Sequence, residues 1–198
     1  MEKTIMANLF DSCSLIVISD TERLLNIAKC CKNDLKNKMG ITSVILRELR
    51  GHAQTDNTPT EDYYALQNYI ELYIQSKDID FLNIESNPEY YKSYIDIRKK
   101  FYGWMINKKY FEQLKSKGKI DPSLNFNDMR EQYQKVDAGE CSLLSIAVLN
   151  PTNSIIVSED SGRSHYLPSQ NIFDIFKRKG IEILTYEKWL EKHQLSKL

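Results

Sequence analysis

Short apolar runs and helical patterns alternate near both ends of the chain. Residues 4–10 and 154–157 are mostly apolar stretches of the length expected for buried strands, and residues 40–42 and 181–185 are shorter candidates. Apolar residues at helical spacing predict helices in the neighbouring segments, at 19–32, 44–50, 137–148, 169–179 and 186–193. Because strands that alternate with helices at short intervals need crossover connections, the pattern predicts an α/β fold with a central parallel sheet.

The composition changes between residues 52 and 135, where we predict a helical insertion within a single domain spanning residues 1–198. Residues 56–91, the acidic stretch, carry eight acids and one base, a local balance of −7. Residues 92–119, the basic stretch, carry nine bases and two acids, a local balance of +7. The net charge of zero for the whole chain therefore conceals two segments of opposite charge.

The basic stretch interleaves lysine and arginine with aromatic residues. That combination suits phosphate contacts and base stacking, and it predicts nucleic-acid-binding residues in this stretch and in one later loop: Lys99, Lys100, Lys108, Lys109 and Arg163. Two other interpretations stay open. The stretch could be a solvated helix whose aromatic side chains face the core, or the acidic stretch could neutralise its lysines, within one chain or across a homodimer. Arg163 could pair with Asp160 instead of contacting a phosphate.

The composition argues against several other classes of protein. The four cysteines, at positions 13, 30, 31 and 141, form no CxxC pair, which disfavours a zinc site or a disulfide framework and fits a cytoplasmic protein. No apolar run approaches the roughly 20 residues of a membrane span, and the first residues lack the apolar core of a signal peptide. We therefore expect no membrane association.

Four carboxylates follow strands or begin helices in the predicted fold. Asp11 and Asp160 each follow an apolar strand, while Glu48 and Glu140 each lie early in a helix. Because such positions share one edge of a parallel sheet, we expect the four acids to converge there. Converging carboxylates repel one another unless hard cations compensate them, so Mg²⁺ or Mn²⁺ is the expected cofactor, with Asp11, Glu140 and Asp160 as ligands. Such ions can activate a water for attack on a phosphodiester, which predicts nuclease chemistry with all four acids as catalytic residues.

The segment from Asp137 to Glu140 also has the spacing of a capping box. In that interpretation Asp137 accepts a hydrogen bond from the backbone N–H three residues on, and Glu140 reaches back. Asp137 therefore competes with Glu140 for the role of third acid. Asp160 could instead cap a turn, and Glu48 could be a solvated helix residue.

The four acids and their surroundings resemble the PIN-domain ribonucleases, including the VapC-like toxins. The similarity rests on the strand that ends at Asp11, the helix segment Val44–Leu49, the acid Glu140 that opens a small-residue helix, and the Ser-Glu-Asp sequence at 158–160. It covers residues 4–51 and 136–190. The third acid is Glu140 where the family more often has Asp, as in the GE-containing branch.

This resemblance implies a three-layer α/β/α PIN-like fold and hydrolysis of RNA with Mg²⁺ or Mn²⁺, as in the toxin of a toxin–antitoxin pair. It implies that the Ser158 hydroxyl supports the last acid, with Ser12 and Asp137 as further supporting residues. RNA and an antitoxin-like inhibitor protein are the implied partners. The alternative interpretation is a catalytically silent PIN-like module that binds RNA or a protein.

Overall fold

Five parallel strands form one sheet at the centre of the molecule. The computed structural model describes residues 7–18, 20–33, 35, 37–53 and 60–195. The strand order is β3-β2-β1-β4-β5, and every pair of neighbours is parallel. The strands are β1 (Ala7–Phe10), β2 (Lys38–Thr42), β3 (Ile79–Leu82), β4 (Ser154–Val157) and β5 (Glu182–Leu184). The predicted α/β class with a central parallel sheet is confirmed.

Helices cover both faces of the sheet. Because crossovers between parallel strands are right-handed, the helices between β1 and β3 lie on one face, and those between β3 and β5, where the chain crosses back, lie on the other. The last helix, which follows β5, returns to the first face, where Tyr186 contacts Arg23. The described part of the chain contains no helix long and apolar enough to span a membrane. The helices are α1 (Ser12–Ile18), α2 (Thr21–Asn33), α3 (Ser43–Ala53), α4 (Thr60–Gln75), α5 (Pro88–Tyr102), α6 (Lys108–Ser116), α7 (Phe126–Gln132), α8 (Ala138–Ala147), α9 (Ile172–Lys177) and α10 (Tyr186–Lys192).

The strand order reverses beside β1, the central strand. Ala7 at the start of β1 lies opposite Lys38 of β2 on one side and Ser154 of β4 on the other. The crevice beyond the carboxyl ends of β1 and β4 is therefore the switch point where open α/β sheets bind ligands. Asp11 directly follows β1 at this crevice, and Ser158 directly follows β4.

The structure contains two elements that the hydrophobic pattern did not predict. Helix α1 follows β1 directly, and β3 lies inside the segment 52–135 that was predicted to be a helical insertion. That segment therefore supplies an edge strand of the central sheet as well as helices. Residues 4–6 of the first predicted strand lie outside the described residues.

Most aromatic side chains of the basic stretch face the core. Phe101, Trp104 and Phe111 are buried, and the rings of Trp104 and Phe111 stack with their centroids 6.2 Å apart. Tyr110 is 47% exposed, and Tyr91, directly before the stretch, is 46% exposed. The core interpretation is therefore right for most of these aromatic residues, and Tyr91 and Tyr110 are left for stacking on bases.

The acidic stretch is neutralised by bases that precede it in the chain. Its described ion pairs involve residues of α2, β2 and α3 and have N–O distances between 2.6 and 2.9 Å. No ion pair among the described side chains joins the acidic stretch to the basic stretch, and three of the eight acids of the acidic stretch, Asp56, Glu61 and Asp62, lie outside the described side chains. The pairs are Lys32–Asp78, Lys38–Asp80, Arg47–Glu85 and Arg50–Glu71.

Candidate acidic site at the carboxyl edge of the sheet

Asp11 is held at the end of β1 by hydrogen bonds to both carboxylate oxygens. It caps α1, because the backbone N–H of Ser14 donates to Oδ1 at 2.6 Å and that of Leu15 donates to the Asp11 carbonyl oxygen at 3.2 Å. The hydroxyl of Ser158 donates to Oδ2. Asp11 is only 3% exposed. Burial raises its pKa although these hydrogen bonds lower it, and the charge of Asp160 adds to the rise.

The Ser158 hydroxyl links the ends of the two central strands. It donates to Asp11 and accepts a hydrogen bond from the backbone N–H of Asp160 at 3.1 Å. Asp160 is exposed, and its Oδ1 accepts from the backbone N–H of Gly162 at 2.6 Å. Gly162 has a φ of 70°, and a Cβ there would lie 2.4 Å from Cγ of Phe173. Ser158 therefore contacts Asp11 as well as the loop of the last acid, a wider role than the resemblance implied.

The carboxylate of Glu48, a residue of α3, lies at the start of helix α8. Its Oε1 accepts a hydrogen bond from the backbone N–H of Gly139 at 2.8 Å, and its Oε2 accepts one from the Ser12 hydroxyl at 3.3 Å. The two donors fix the carboxylate between α1 and α8. Burial raises the pKa of Glu48 to about 7, against the effect of these hydrogen bonds, and the charges of Asp11 and Asp137 add to the rise.

The prediction that Asp137 caps α8 through a capping box is wrong. Asp137 stands just before the helix with a left-handed backbone, φ 46° and ψ 36°, and its side chain makes no capping hydrogen bond. Its Oδ2 instead accepts a hydrogen bond from the Tyr102 hydroxyl. The physical reason is that the Tyr102 hydroxyl holds the Asp137 carboxylate instead, while the Glu48 carboxylate takes the N–H of Gly139, another free donor at the start of α8.

The five acids Asp11, Glu48, Asp137, Glu140 and Asp160 interact electrostatically and form the acidic cluster. Burial raises the pKa of Glu140 well above its usual range, and the charges of Glu48, Asp137 and Asp160 raise it further. Burial also raises the pKa of Asp137, although the Tyr102 hydrogen bond lowers it. Among the ion pairs of the described residues, none joins a lysine or arginine to a member of the cluster.

The chemistry of the acidic cluster fits a hard divalent cation. Its members offer oxygen donors only, and their mutual repulsion would be relieved by two positive charges. Within the described residues, however, no three His, Cys, Asp or Glu side chains already stand in an arrangement that could hold a metal ion. Hydrogen bonds hold both oxygens of Asp11 and both oxygens of Glu48. The side chains that would move to complete a metal site are therefore those of Asp137, Glu140 and Asp160.

Several residues of the site were not predicted from the sequence. Ser14 could have been found, because Asp11-Ser-Cys-Ser before an apolar run is a helix-start signal. Gly139 adjoins the predicted Glu140 but carries no signal for its contact with Glu48. Tyr102 lies 35 residues before its partner Asp137 in the chain, in a segment without a matching local pattern.

The lysines predicted to bind nucleic acid are all exposed, and none takes part in a described ion pair. Lys99 and Lys100 lie in the last turn of α5, which ends at Tyr102 beside the acidic cluster. Lys108 and Lys109 are the first residues of α6. The basic stretch therefore approaches the acidic cluster at the carboxyl end of α5.

Arg163 lies in the loop that follows β4. Its backbone pairs with Asn171 in an isolated antiparallel bridge, and its N–H donates to the Ser161 hydroxyl at 3.2 Å. Its side chain is exposed, and the described ion pairs do not include one between Arg163 and Asp160. The ion-pair interpretation is therefore wrong, and a phosphate contact stays a prediction.

Two solved structures are similar to this chain at low sequence identity. VapBC2 from Rickettsia felis, bound to a DNA fragment from its promoter, has 13% identity and a TM-score of 0.43, over 91% of this chain and 99% of that chain. VapBC-1 from nontypeable Haemophilus influenzae has 14% identity and a TM-score of 0.41, over 92% and 99%. No protein-family model and no curated protein matches the chain. Both structures are VapBC proteins, and the GE-containing branch stays a prediction.

Proposed function

We propose that this protein is a PIN-like endoribonuclease that depends on Mg²⁺ or Mn²⁺. The observation that carries the proposal is the acidic cluster at the switch point of the sheet, where five carboxylates, all but Asp160 buried or partly buried, form no described ion pair with a lysine or arginine. Such an accumulation of carboxylates is unfavourable in its charged form unless a cation binds there, and without one the carboxyls retain protons. The order of the acids along the chain, which resembles the PIN-domain ribonucleases, supports RNA as the substrate.

Asp11, Glu140 and Asp160 are the residues that we propose hold the ion. A bound Mg²⁺ or Mn²⁺ would compensate their charge and polarise the phosphodiester and an attacking water. Asp11 is oriented for this role by its hydrogen bonds from Ser14 and Ser158. Glu48 holds the start of α8, the helix that carries Glu140, through the N–H of Gly139. Because burial raises the pKa values of Asp11, Glu48 and Glu140, binding of the ion would release protons.

The basic stretch is the proposed path by which RNA reaches the acidic cluster. Its exposed lysines carry no described ion pair, so their charge is free to attract phosphates. The proposed RNA-contacting residues are Lys99, Lys100, Lys108, Lys109 and Arg163. The resemblance further supports a cytoplasmic location and an antitoxin-like inhibitor protein, whose copurification with the chain would abolish cleavage. Light scattering would test for a homodimer.

Cleavage of a mixed RNA pool by the purified protein tests the proposal. We expect cleavage with Mg²⁺ or Mn²⁺ and none in EDTA, and we expect Asp11→Asn and Glu140→Gln each to lower the rate by at least about 100-fold. The matched control is Asp128→Asn, which removes an exposed carboxylate of α7 outside the acidic cluster and should leave the rate unchanged. Full activity in the Asp11 and Glu140 variants would refute the assignment.

A catalytically silent module that binds RNA or a protein is the second candidate. The observation that favours it is that no three of the described acids already stand in a metal-holding arrangement. In this case the wild type would bind RNA with a salt-dependent affinity but would leave it intact with either ion at any concentration. The same RNA pool, examined by filter binding and by gel, separates the two functions.

A further inference from the structure

Arg98 is a buried cation on α5 without a described ion pair. It is 2% exposed, and none of the described ion pairs includes it. Its guanidinium lies over the rings of Tyr102 and Tyr133, with its Cζ atom 4.9 Å from each ring centroid. It also donates a hydrogen bond to the carbonyl oxygen of Val136, the residue before Asp137. A buried charge is costly unless specific contacts hold it, and here the two rings, the Val136 carbonyl and the nearby charge of Asp137 do so.

The contacts of Arg98 and Tyr102 converge on one peptide segment, Val136 and Asp137. Arg98 holds the backbone, and the Tyr102 hydroxyl holds Oδ2 of the Asp137 carboxylate. Arg98 and Tyr102 are four residues apart in α5 and therefore lie on the same face of that helix. The left-handed backbone of Asp137, with φ 46°, is unfavourable for a residue with a side chain and is maintained by surrounding contacts of this kind.

Asp137 faces the acidic cluster while it is held in this way. Its charge interacts with Glu48, Glu140 and Asp160 as well as with Arg98 and His165, and its Oδ1 forms no hydrogen bond with the described residues. Asp137 therefore has one oxygen that accepts a hydrogen bond from the basic stretch and one oxygen without a described hydrogen bond. A carboxylate oriented by a hydrogen bond to one oxygen is a common arrangement for a metal ligand.

We propose that Tyr102 is a positioning residue that holds Asp137 as a ligand of the divalent cation. This inference rests on the proposed function and goes beyond it, because it gives the segment between Glu48 and Asp137 a direct part in the site. In this arrangement α5 completes the acidic cluster, and Arg98 anchors the backbone that carries Asp137. The two tyrosines that contact Arg98 differ in one respect, since only Tyr102 has a described hydrogen bond to an acid.

This difference between the two tyrosines provides a matched pair of variants. Tyr102→Phe and Tyr133→Phe each remove one hydroxyl from a ring that contacts the Arg98 guanidinium, and each keeps the ring. Mn²⁺ binding to the metal-free full-length protein is measured by electron paramagnetic resonance of the free ion, without RNA. We expect Tyr102→Phe to weaken binding about tenfold and Tyr133→Phe to match the wild type.

Asp137→Asn completes the experiment and keeps an acceptor for the Tyr102 hydroxyl, so the fold is retained. We expect it to weaken Mn²⁺ binding at least about tenfold, and we expect Tyr102→Phe to have no additional effect in that background. Equal affinities of the wild type and Tyr102→Phe, or of the wild type and Asp137→Asn, would overturn the assignment of Tyr102 and leave the proposed nuclease intact. Absence of Mn²⁺ binding by the wild type would overturn both.

Discussion

Gly139 leaves the space that the Glu48 carboxylate needs at the start of α8. A Cβ atom at this position would lie 2.4 Å from Oε2 of Glu48 and 2.7 Å from Cδ1 of Ile45. Both distances are too short for non-bonded atoms, so an added Cβ would displace the two side chains. Rotation of the Glu48 side chain would relieve the overlap but would break its hydrogen bond from the Gly139 N–H.

We predict that Gly139→Ala lowers the free energy of unfolding by about 1 to 3 kcal/mol, because the hydrogen bond between the partly buried Glu48 carboxylate and the N–H at the start of α8 is broken. Gly51→Ala is the matched control. Gly51 lies inside α3, where an added Cβ meets no atom within 4 Å, so this substitution should stabilise the protein by up to about 1 kcal/mol. Urea denaturation measures both effects. Equal stability of the two variants would show that Glu48 does not need this space.

Glu48 also makes the metal-free protein sensitive to pH. Its pKa is 4.5 in an ordinary environment and about 7 in the folded protein. Between these values the folded state keeps a proton that the unfolded state has released. The free energy of unfolding therefore falls as the pH rises from about 4.5 to about 7. The raised pKa values of Asp11, Asp137 and Glu140 change stability in the same direction.

We expect Glu48→Gln to reduce this loss of stability by on the order of 2 kcal/mol, since glutamine does not titrate. Glu71→Gln is the control. Hydrogen bonds from Arg50 and Gln67 lower the pKa of Glu71. The contribution of Glu71 to the free energy of unfolding is therefore lost as the pH falls, which is opposite in sign to the effect of Glu48 and occurs at lower pH. Thermal melting in EDTA between about pH 5 and pH 7 makes the comparison. An unchanged pH dependence in Glu48→Gln would exclude Glu48 as its source.

The sequence predicted which acids converge better than it predicted what each acid contacts. Strand ends and helix starts were sufficient to bring Asp11, Glu48 and Asp160 to one edge of the sheet. The hydrogen-bond donors of Glu48 lie far from it along the chain, 36 residues away at Ser12 and 91 residues away at Gly139. Local spacing does not contain this information, and for that reason the capping-box prediction failed.

Among the elements, α5 and α6 carry the charge that we propose guides RNA. We predict that a variant with four glutamines in place of Lys99, Lys100, Lys108 and Lys109 binds RNA more weakly. Its slope of log Kobs against log salt should fall by about 2.8, because each phosphate contact to a single strand contributes about 0.7. These side chains are exposed, so stability should change little.

The control for this variant removes the same number of positive charges elsewhere. It replaces four exposed bases outside the basic stretch with glutamine, namely Lys29, Lys177, Arg178 and Lys188. A general electrostatic attraction would decrease in both variants alike, whereas a defined RNA-binding surface would respond only to the first. Salt slopes that agree between the two variants would rule out the basic stretch as that surface.

Long elements were predicted more accurately than short ones. Helix α2 spans Thr21–Asn33 against a predicted range of 19–32, because 13 residues contain several repeats of the apolar pattern. Strand β3 has four residues and lies at the edge of the sheet, with only Ile79 and Leu82 buried. Four residues with one solvated side contain too little pattern to identify a strand.

For the molecule as a whole, binding of the cation should couple to folding, since the acidic cluster assembles only in the folded state. We expect Mn²⁺ or Mg²⁺ to raise the melting temperature, with about 2.7 kcal/mol of stabilisation at a hundredfold excess over Kd. Asp11→Asn should remove most of the shift while still capping α1. Differential scanning calorimetry with Asp128→Asn as the control measures this, and a full shift in Asp11→Asn would remove Asp11 from the metal site.

The fold class was predictable because strands and helices alternate, but the order of the strands was not. A parallel sheet follows from the crossover connections. Nothing in the local pattern indicates that the chain crosses from β3 at one edge to β4 on the far side of β1. That crossing creates the switch point, so the position of the site depends on the feature that was hardest to predict.

The pairing of β1 with β4 has a consequence for how the protein is made. The Ser158 hydroxyl that holds Asp11 lies 147 residues later in the chain. At translation rates of ~5–20 residues per second, the ribosome adds Ser158 roughly 7 to 30 s after Asp11. Chains stalled on the ribosome before β4 emerges should therefore neither protect Asp11 from the solvent nor cleave RNA, and cleavage by such chains would contradict this. The proposed nuclease activity would then appear only after β4 has emerged from the ribosome.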